Sequence, residues 1–141
     1  MVTGPGRRRT RNHPPSPMAS TLMGPVPLVI PQVPPALMEA LAAAQPDEIV
    51  LLDCVTLWLS NFMMAERDIP TACAALCTAL TQAPCPVIVV SNEVGQGITP
   101  DNAMARAFVK HQGHLNQDLA RLAQEVIFVT AGIAQTLKAT P

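Results

Sequence analysis

The chain of 141 residues is 49% hydrophobic and 13% charged, and its formal net charge is −1. This length suits a single domain with its own core. The near-neutral charge and an aromatic content of only 3% argue against a nucleic-acid-binding surface. No apolar run approaches the roughly 20 residues that span a bilayer, so we expect no membrane span.

Proline and arginine set the start of the chain apart from the rest. Nine of the 15 prolines lie within the first 35 positions, and four of the nine basic residues lie within the first 11. Proline lacks a backbone N–H and restricts the residue before it, which disfavours helices and central strands. We expect residues 1–25 to be disordered or irregular and residues 26–141 to form the folded part. The arginines could bind an anion, although a solvated tail is the favoured interpretation.

Helical and strand patterns alternate after the proline-rich stretch. Apolar faces, proline in a first turn and short apolar runs predict a helix, a strand, two helices and a second strand. In chain order these are Pro35–Ala44, Glu48–Asp53, Val55–Met64, Pro70–Gln82 and residues 86–91.

A long amphipathic helix is predicted next, over Pro100–Gln124 with Thr99 as its N-cap. Its apolar stripe contains Met104, Phe108, Leu115, Leu119 and Leu122. Glu125–Thr130 predicts a third strand, closed by Ala131 and Gly132. Strands that alternate with helices favour βαβ units, so we expect an α/β fold with a parallel sheet.

The clearest functional signal lies where the second predicted strand ends. The β-branched run Val87–Val90 is typical of a strand covered on both faces, and Ser91, Asn92 and Glu93 follow it directly, with Gly95 close behind. Ligands of open α/β sheets bind beyond the carboxyl ends of the strands. The pattern therefore predicts a nucleotide-like ligand at this edge, and an ordinary strand-to-loop junction is the alternative.

Asp53 ends the preceding strand, where a carboxylate needs a partner that satisfies its charge. We interpret it as a contact to a nucleotide or its Mg²⁺, as at the acidic strand end of P-loop NTPases. The alternatives are a cap of the helix that starts at Val55, or an ion pair.

On the long helix, Arg106, Gly113 and Asn116 share one face. Arg106 and Asn116 are candidate contacts to phosphate or to another subunit. For Arg106, a surface ion pair is the alternative. Gly113 lies within the predicted helix, where glycine is unfavourable, so close packing by a ligand, loop or subunit is expected.

The sequence contains no recognisable metal-binding or nucleophile motif. His111 and His114 are three residues apart, but no carboxylate or cysteine joins them at a suitable spacing, so no metal site is expected. No Cys-x-x-Cys pair occurs, and we expect the cysteines to be buried free thiols, as in a reducing cytoplasm. The four are Cys54, Cys73, Cys77 and Cys85.

Three segments together resemble one family. These are Leu51-Leu-Asp-Cys-Val-Thr-Leu-Trp-Leu-Ser-Asn61, Val90-Ser-Asn-Glu-Val-Gly-Gln-Gly-Ile-Thr-Pro100, and the helix that carries Arg106, Gly113, Asn116 and Gln117. The chain from about residue 26 to 138 is similar to the bifunctional adenosylcobinamide kinase/adenosylcobinamide-phosphate guanylyltransferases. By this resemblance, Asp53, Asn92, Glu93 and Gly95 are the nucleotide-binding residues.

The resemblance implies a cytoplasmic P-loop enzyme of RecA-like fold in cobalamin biosynthesis. Such enzymes phosphorylate adenosylcobinamide with ATP or GTP. They then transfer GMP from GTP through a histidine–GMP intermediate, which gives adenosyl-GDP-cobinamide. Adenosylcobinamide, GTP, ATP and Mg²⁺ are the implied substrates and cofactors, and a homo-oligomer, commonly a trimer, is the implied assembly.

The start of the chain departs from the family pattern. Val2-Thr3-Gly4 suggests the first strand, but no Gly-Lys-Ser phosphate cradle follows it. His13 lacks the neighbours of the guanylylated histidine, so the catalytic residues stay unassigned. We therefore expect a partial fold without the P-loop strand–helix unit, with activity in question. A non-catalytic α/β scaffold or subunit fragment is the alternative, and an unrelated small α/β enzyme is the least favoured.

Overall fold

The structure, a computed structural model, describes residues 28–29 and 34–140. The expectations for residues 1–25, including Val2 and His13, lie outside the described residues. Strands and helices alternate, and then the described part of the chain ends in a hairpin. In chain order the elements are β1 (Leu28–Val29), α1 (Pro34–Ala43), β2 (Val50–Asp53), α2 (Val55–Met64), α3 (Ile69–Gln82), β3 (Val87–Val90), α4 (Ala103–Leu122), β4 (Glu125–Thr130) and β5 (Ile133–Ala139).

A three-stranded parallel sheet has the order β1-β2-β3, so β2 is its middle strand. Asp53 lies opposite Val90 in the register of β2 and β3. The predicted parallel sheet is confirmed, and β1, which pairs parallel with β2, adds a strand that was not predicted. A strand of two residues is too short to show the alternation of apolar and polar side chains that predicts a strand, and the neighbouring prolines disfavour one.

The first helices cover this sheet with apolar side chains. Leu37 and Leu41 of α1 are fully buried, as the apolar face predicted. Trp58 and Phe62 of α2 pack with their ring centroids 4.5 Å apart, and Trp58 is 3% exposed. The helices and the middle strand β2 share one hydrophobic core, which also contains Leu76 of α3 and Leu115 of α4.

Helix α3 begins where the sequence supplies a cap and a proline. Asp68 is the N-cap, and its carboxylate accepts hydrogen bonds from the backbone N–H and the hydroxyl of Thr71. These bonds hold the pKa of Asp68 below its usual value. Pro70 follows in the first turn, where its missing N–H costs nothing.

Helix α4 starts later than predicted. Its N-cap is Asn102, whose Oδ1 accepts hydrogen bonds from Met104 and Ala105, so the assignment of Thr99 as N-cap is wrong. Asparagine is the stronger capping residue, and it moves the helix start beyond Pro100. The stripe is confirmed in the middle of α4, where Leu115 is buried, whereas Met104 is 58% exposed.

The strand predicted over Glu125–Thr130 forms, but it does not join the parallel sheet. It pairs antiparallel with β5 in a separate two-stranded sheet. Ala131 and Gly132 both have positive φ, the combination that a type I′ hairpin turn requires. Lys138 of β5 donates to the carbonyls of Ala120 and Arg121 and so caps the end of α4.

Among residues 28–29 and 34–140, none of the helices has the length and apolar character to cross a membrane.

Candidate active site

The candidate site lies at the carboxyl edge of the parallel sheet. β2 ends at Asp53 and β3 ends at Val90, and these two residues are direct partners in the sheet register. The loop that follows β3, Ser91–Gly95, therefore starts beside Asp53. The structure brings together the two strand ends that the sequence marked as functional.

Asp53 is exposed, and neither structural alternative for its carboxylate is found in the described part of the chain. The N-cap of α2 is Cys54, which makes no side-chain capping bond, and no salt bridge or hydrogen bond of the Asp53 side chain to a described residue occurs. Asp53 thus presents a charged group at the strand end, immediately before the first turn of α2. Such a position suits a cation or a hydrogen-bonding ligand.

Two helices hold the loop after β3. The backbone N–H of Asn92 donates to Oγ1 of Thr56 on α2 at 3.0 Å. The carbonyl of Asn92 accepts from Nδ2 of Asn116 on α4, also at 3.0 Å. With both backbone groups engaged, the exposed side chain of Asn92 is left without a hydrogen bond to a described residue.

Behind the loop lies a polar cluster that we call the amide cluster, formed by Ser91, Gln112 and Asn116. Nε2 of Gln112 donates to Oγ of Ser91 and to Oδ1 of Asn116, each at 2.9 Å. Oγ of Ser91 in turn donates to the same Oδ1 at 2.5 Å. Gln112 is fully buried, and its Oε1 has no hydrogen-bond partner among the described residues.

Glu93 and Gly95 form a local turn. The N–H of Gly95 donates to Oε1 of Glu93 at 2.7 Å. A Cβ at position 95 would lie 2.8 Å from that same oxygen, so a side chain there would displace the Glu93 carboxylate. The small residue at 95 is explained by this contact. At Gly97, by contrast, a Cβ would meet no atom within 4 Å.

The remaining predicted residues of α4 have separate surroundings. Arg106 is exposed, and its Nη1 donates to the carbonyls of Pro100 and Asp101. These bonds hold the segment just before α4 against the first turn of the helix. No ion pair of Arg106 with a described residue is found. At Gly113 a Cβ would meet no atom within 4 Å, so no described loop packs on it.

No three histidine, cysteine or acidic side chains lie close enough to share a metal ion in the described ranges. His111 and His114 therefore gain no third ligand from these residues. Any divalent cation at this edge would need further ligands, which nucleotide phosphates and water commonly supply to Mg²⁺.

The cysteines are free thiols, as predicted, but each is partly rather than fully buried. Burial is the main cause that raises the pKa of Cys73 to about 11, and the charges of Cys77 and Asp118 add to it. The pKa of Cys77 is raised as well, again mainly by burial. A raised pKa favours the protonated thiol, which is a poor nucleophile.

Sequence reasoning did not single out Thr56 and Gln112. The burial of Gln112 could have been predicted from the sequence. Gln112 lies four residues after Phe108 and three before Leu115, on the helix face that packs against the core. A buried amide at such a position needs polar partners. The role of Thr56 could not have been predicted in this way, because its hydrogen bond with Asn92 joins residues 36 positions apart in the sequence.

Comparisons with known proteins identify the family of the chain. Residues 30–137 match the model of the family described as cobinamide kinase / cobinamide phosphate guanyltransferase. The chain is 36% identical over 108 residues to the bifunctional adenosylcobalamin biosynthesis protein CobU of Salmonella typhimurium, covering 66% of this chain and 60% of that protein. It is 35% identical over 112 residues to CobU of Escherichia coli, covering 69% and 62%.

A third relative, the bifunctional adenosylcobalamin biosynthesis protein CobP of Pseudomonas aeruginosa, is 34% identical over 100 residues, covering 70% of this chain and 58% of that protein. The chain thus spans about 60% of the length of these curated relatives. The family model covers well over half of the chain, including both strand ends of the candidate site. The chain therefore belongs to the cobinamide kinase / cobinamide phosphate guanyltransferase family.

Proposed function

We propose that this chain is a nucleotide-dependent transferase of cobalamin biosynthesis that binds GTP or ATP with Mg²⁺ at the carboxyl edge of its parallel sheet. One observation carries the proposal. The exposed carboxylate of Asp53, without a partner among the described residues, lies in register with the strand end that leads into Asn92 and Glu93. Family membership supports the reaction class, and this arrangement of side chains supports the proposal that the nucleotide binds at the two strand ends.

The residues at this edge fit a magnesium–nucleotide complex. Mg²⁺ prefers oxygen ligands and is commonly held by one or two carboxylates together with substrate phosphates. Asp53 is such a carboxylate, and bound Mg²⁺ would neutralise charge on the phosphates. The second oxygen of Glu93 offers a further acceptor, because only Oε1 is engaged with Gly95.

The loop offers groups that could recognise the sugar or base. The side-chain amide of Asn92 has both a donor and an acceptor. It is exposed two residues after Val90, the sheet partner of Asp53. Glu93 can accept hydrogen bonds from ribose hydroxyls or from a base edge. We propose that these two residues orient the nucleotide, while the free guanidinium nitrogens of Arg106 contact phosphate.

The proposed overall reaction follows the family. The terminal phosphate of ATP or GTP passes to the hydroxyl of the aminopropanol arm of adenosylcobinamide, with release of the nucleoside diphosphate. GMP then passes from GTP to the new phosphate through a histidine, with release of pyrophosphate. Positioning and charge neutralisation are the main contributions that a protein makes to such phosphoryl transfers. A cytoplasmic location and a homo-oligomer, commonly a trimer, belong to the same proposal.

A second candidate function is a nucleotide-binding scaffold without catalysis. The specific observation in its favour is that the 141 residues contain no Gly-Lys-Ser sequence, the phosphate cradle of P-loop enzymes. Under this alternative the site would still bind nucleotide, but neither transfer would occur.

Calorimetric titration of the full chain with Mg·GTP tests the binding, and chromatography of a reaction with adenosylcobinamide tests the transfers. Binding that Asp53→Asn weakens, together with phosphorylated product, supports the enzyme. Binding without product supports the scaffold. A folded chain that binds neither Mg·GTP nor Mg·ATP refutes both candidates.

A further inference from the structure

The loop after β3 is held by more polar contacts than a simple turn needs. Ser91 and Asn92 form hydrogen bonds with residues of α2 and α4. Asn116 alone takes part in three hydrogen bonds at this loop. Both ends of the Asn116 side chain are in use, with Oδ1 accepting twice and Nδ2 donating once. Asn116 therefore acts within the chain, through the carbonyl of Asn92.

Stability alone gives no reason for the amide cluster. Gln112 is fully buried, and its Oε1 has no hydrogen-bond partner among the described residues. An orphaned buried acceptor destabilises a fold, and an apolar side chain of similar volume would avoid that cost. The arrangement gains a fixed geometry instead, because a connected polar network specifies one placement of the groups bonded to it.

The groups that this network places are those of the candidate site. Asn116 fixes the carbonyl of Asn92, and Thr56 fixes its N–H. Thr56 lies three residues after Asp53, in the first turn of α2. The two contacts thus set the loop at a defined position relative to Asp53.

We propose that Asn116 and Gln112 are positioning residues that hold the Ser91–Gly95 loop against the end of β2 for nucleotide binding. This inference rests on the proposed function. It assigns Asn116 no direct contact with phosphate. It predicts that the affinity for nucleotide depends on the Asn116 amide hydrogens more strongly than the stability of the fold does.

Asn116→Asp is the sharpest test. The carboxylate keeps the size of the side chain and still accepts from Ser91 and Gln112, but it has no hydrogen to donate to Asn92. Gln82→Glu is the matched control, because it makes the same amide-to-carboxylate change at an exposed residue that ends α3. The α3 terminus leads into the start of β3, at the opposite edge of the sheet.

Three quantities are measured on the full chain. They are the dissociation constant of Mg·GTP by calorimetry, the melting temperature, and the hydrogen exchange of a peptide that contains Asn92–Gly95. We expect Asn116→Asp to weaken Mg·GTP binding about tenfold, the scale of one lost hydrogen bond, and to speed exchange in the loop. Gln82→Glu should change neither.

Ser91 supplies a milder variant in case Asn116→Asp does not fold. Ser91→Ala removes the hydroxyl that bonds to both Gln112 and Asn116. We expect it to weaken Mg·GTP binding about threefold, which is half of the free-energy change expected for Asn116→Asp. Ser91→Thr restores a hydroxyl and should recover most of the affinity. Leu115→Ala separates stability from positioning, since it should lower the melting temperature without changing loop exchange or affinity.

The outcomes distinguish this inference from the proposed function. A folded wild-type chain that binds neither Mg·GTP nor Mg·ATP refutes the proposed function and, with it, the role of Asn116 and Gln112 in nucleotide binding. Wild-type binding that Asn116→Asp leaves unchanged, with unchanged loop exchange, refutes only the positioning role. The same follows if Leu115→Ala and Asn116→Asp weaken binding in proportion to their losses of melting temperature.

Discussion

Alanine at Gly95 and alanine at Gly97 should affect stability differently, although the two positions are two residues apart in one loop. Neither glycine has a positive φ, so alanine strains the backbone at neither. Replacing glycine by alanine at a compatible position stabilises a protein by about 0.4–1 kcal/mol, because the unfolded chain loses freedom. Gly97→Ala should give this gain in full, since its Cβ meets no atom within 4 Å.

At position 95 the new Cβ would lie 2.8 Å from Oε1 of Glu93. The carboxylate is the end of a flexible side chain, so it can move away, but it then loses its hydrogen bond from the N–H of residue 95. An exposed bond of this kind contributes about 0.5–1 kcal/mol. The gain and the loss nearly cancel, and Gly95→Ala should be about as stable as the wild type.

Urea unfolding measures the difference directly. A gap of about 0.5–1 kcal/mol corresponds to midpoints roughly 0.3–0.5 M apart for a chain of this size. Adding Glu93→Ala to both variants provides the control, because the gap should close once the carboxylate is gone. Equal midpoints for the two single variants would refute the assigned contact between Glu93 and residue 95.

Three further predictions concern the site, the core and the pH dependence of stability. Asp53→Asn should raise the dissociation constant of Mg·GTP at least tenfold in calorimetry, since a charge near a divalent cation contributes about 2 kcal/mol even in water; an unchanged constant would rule out the role of Asp53. Leu115→Ala should lower the free energy of unfolding by about 2–5 kcal/mol, whereas Leu122→Ala, at a residue 46% exposed, should cost no more than about 1 kcal/mol. Similar losses would contradict the orientation of α4. Because burial raises the pKa of Cys73 to about 11 from 9.0, the unfolded chain releases its proton first, so stability should fall as pH rises through that window. Cys73→Ser should reduce the fall between about pH 9 and pH 11 in urea unfolding, and an undiminished fall would show that other groups cause it.

Local patterns in the sequence predicted most elements of the fold. The helix Val55–Met64 has the predicted bounds, and β2 and β3 end where polar residues interrupt apolar runs. Sheet membership was not predictable in the same way. The run Glu125–Thr130 resembles β3 in composition, and only the turn at Ala131 and Gly132 decides that it pairs with the next strand.

The candidate site was predictable at its strand ends and not behind them. Asp53 and Asn92 follow apolar runs, and the topology of a parallel sheet places such residues at one edge. Their contacts with α2 and α4 depend on how the helices pack on the sheet, which hydrophobic periodicity does not specify. Thr56 and Gln112 therefore became visible only in three dimensions.

The packing of Trp58 gives this protein a built-in optical reporter. Trp58 is the single tryptophan of the chain, and it is almost fully enclosed, next to Phe62. Its indole N–H has no hydrogen-bond partner in the described part of the chain, so its fluorescence should be that of a dry, apolar environment. Because Trp58 lies on α2 two residues after Thr56, a change in emission would report movement of the helix that begins at the candidate site.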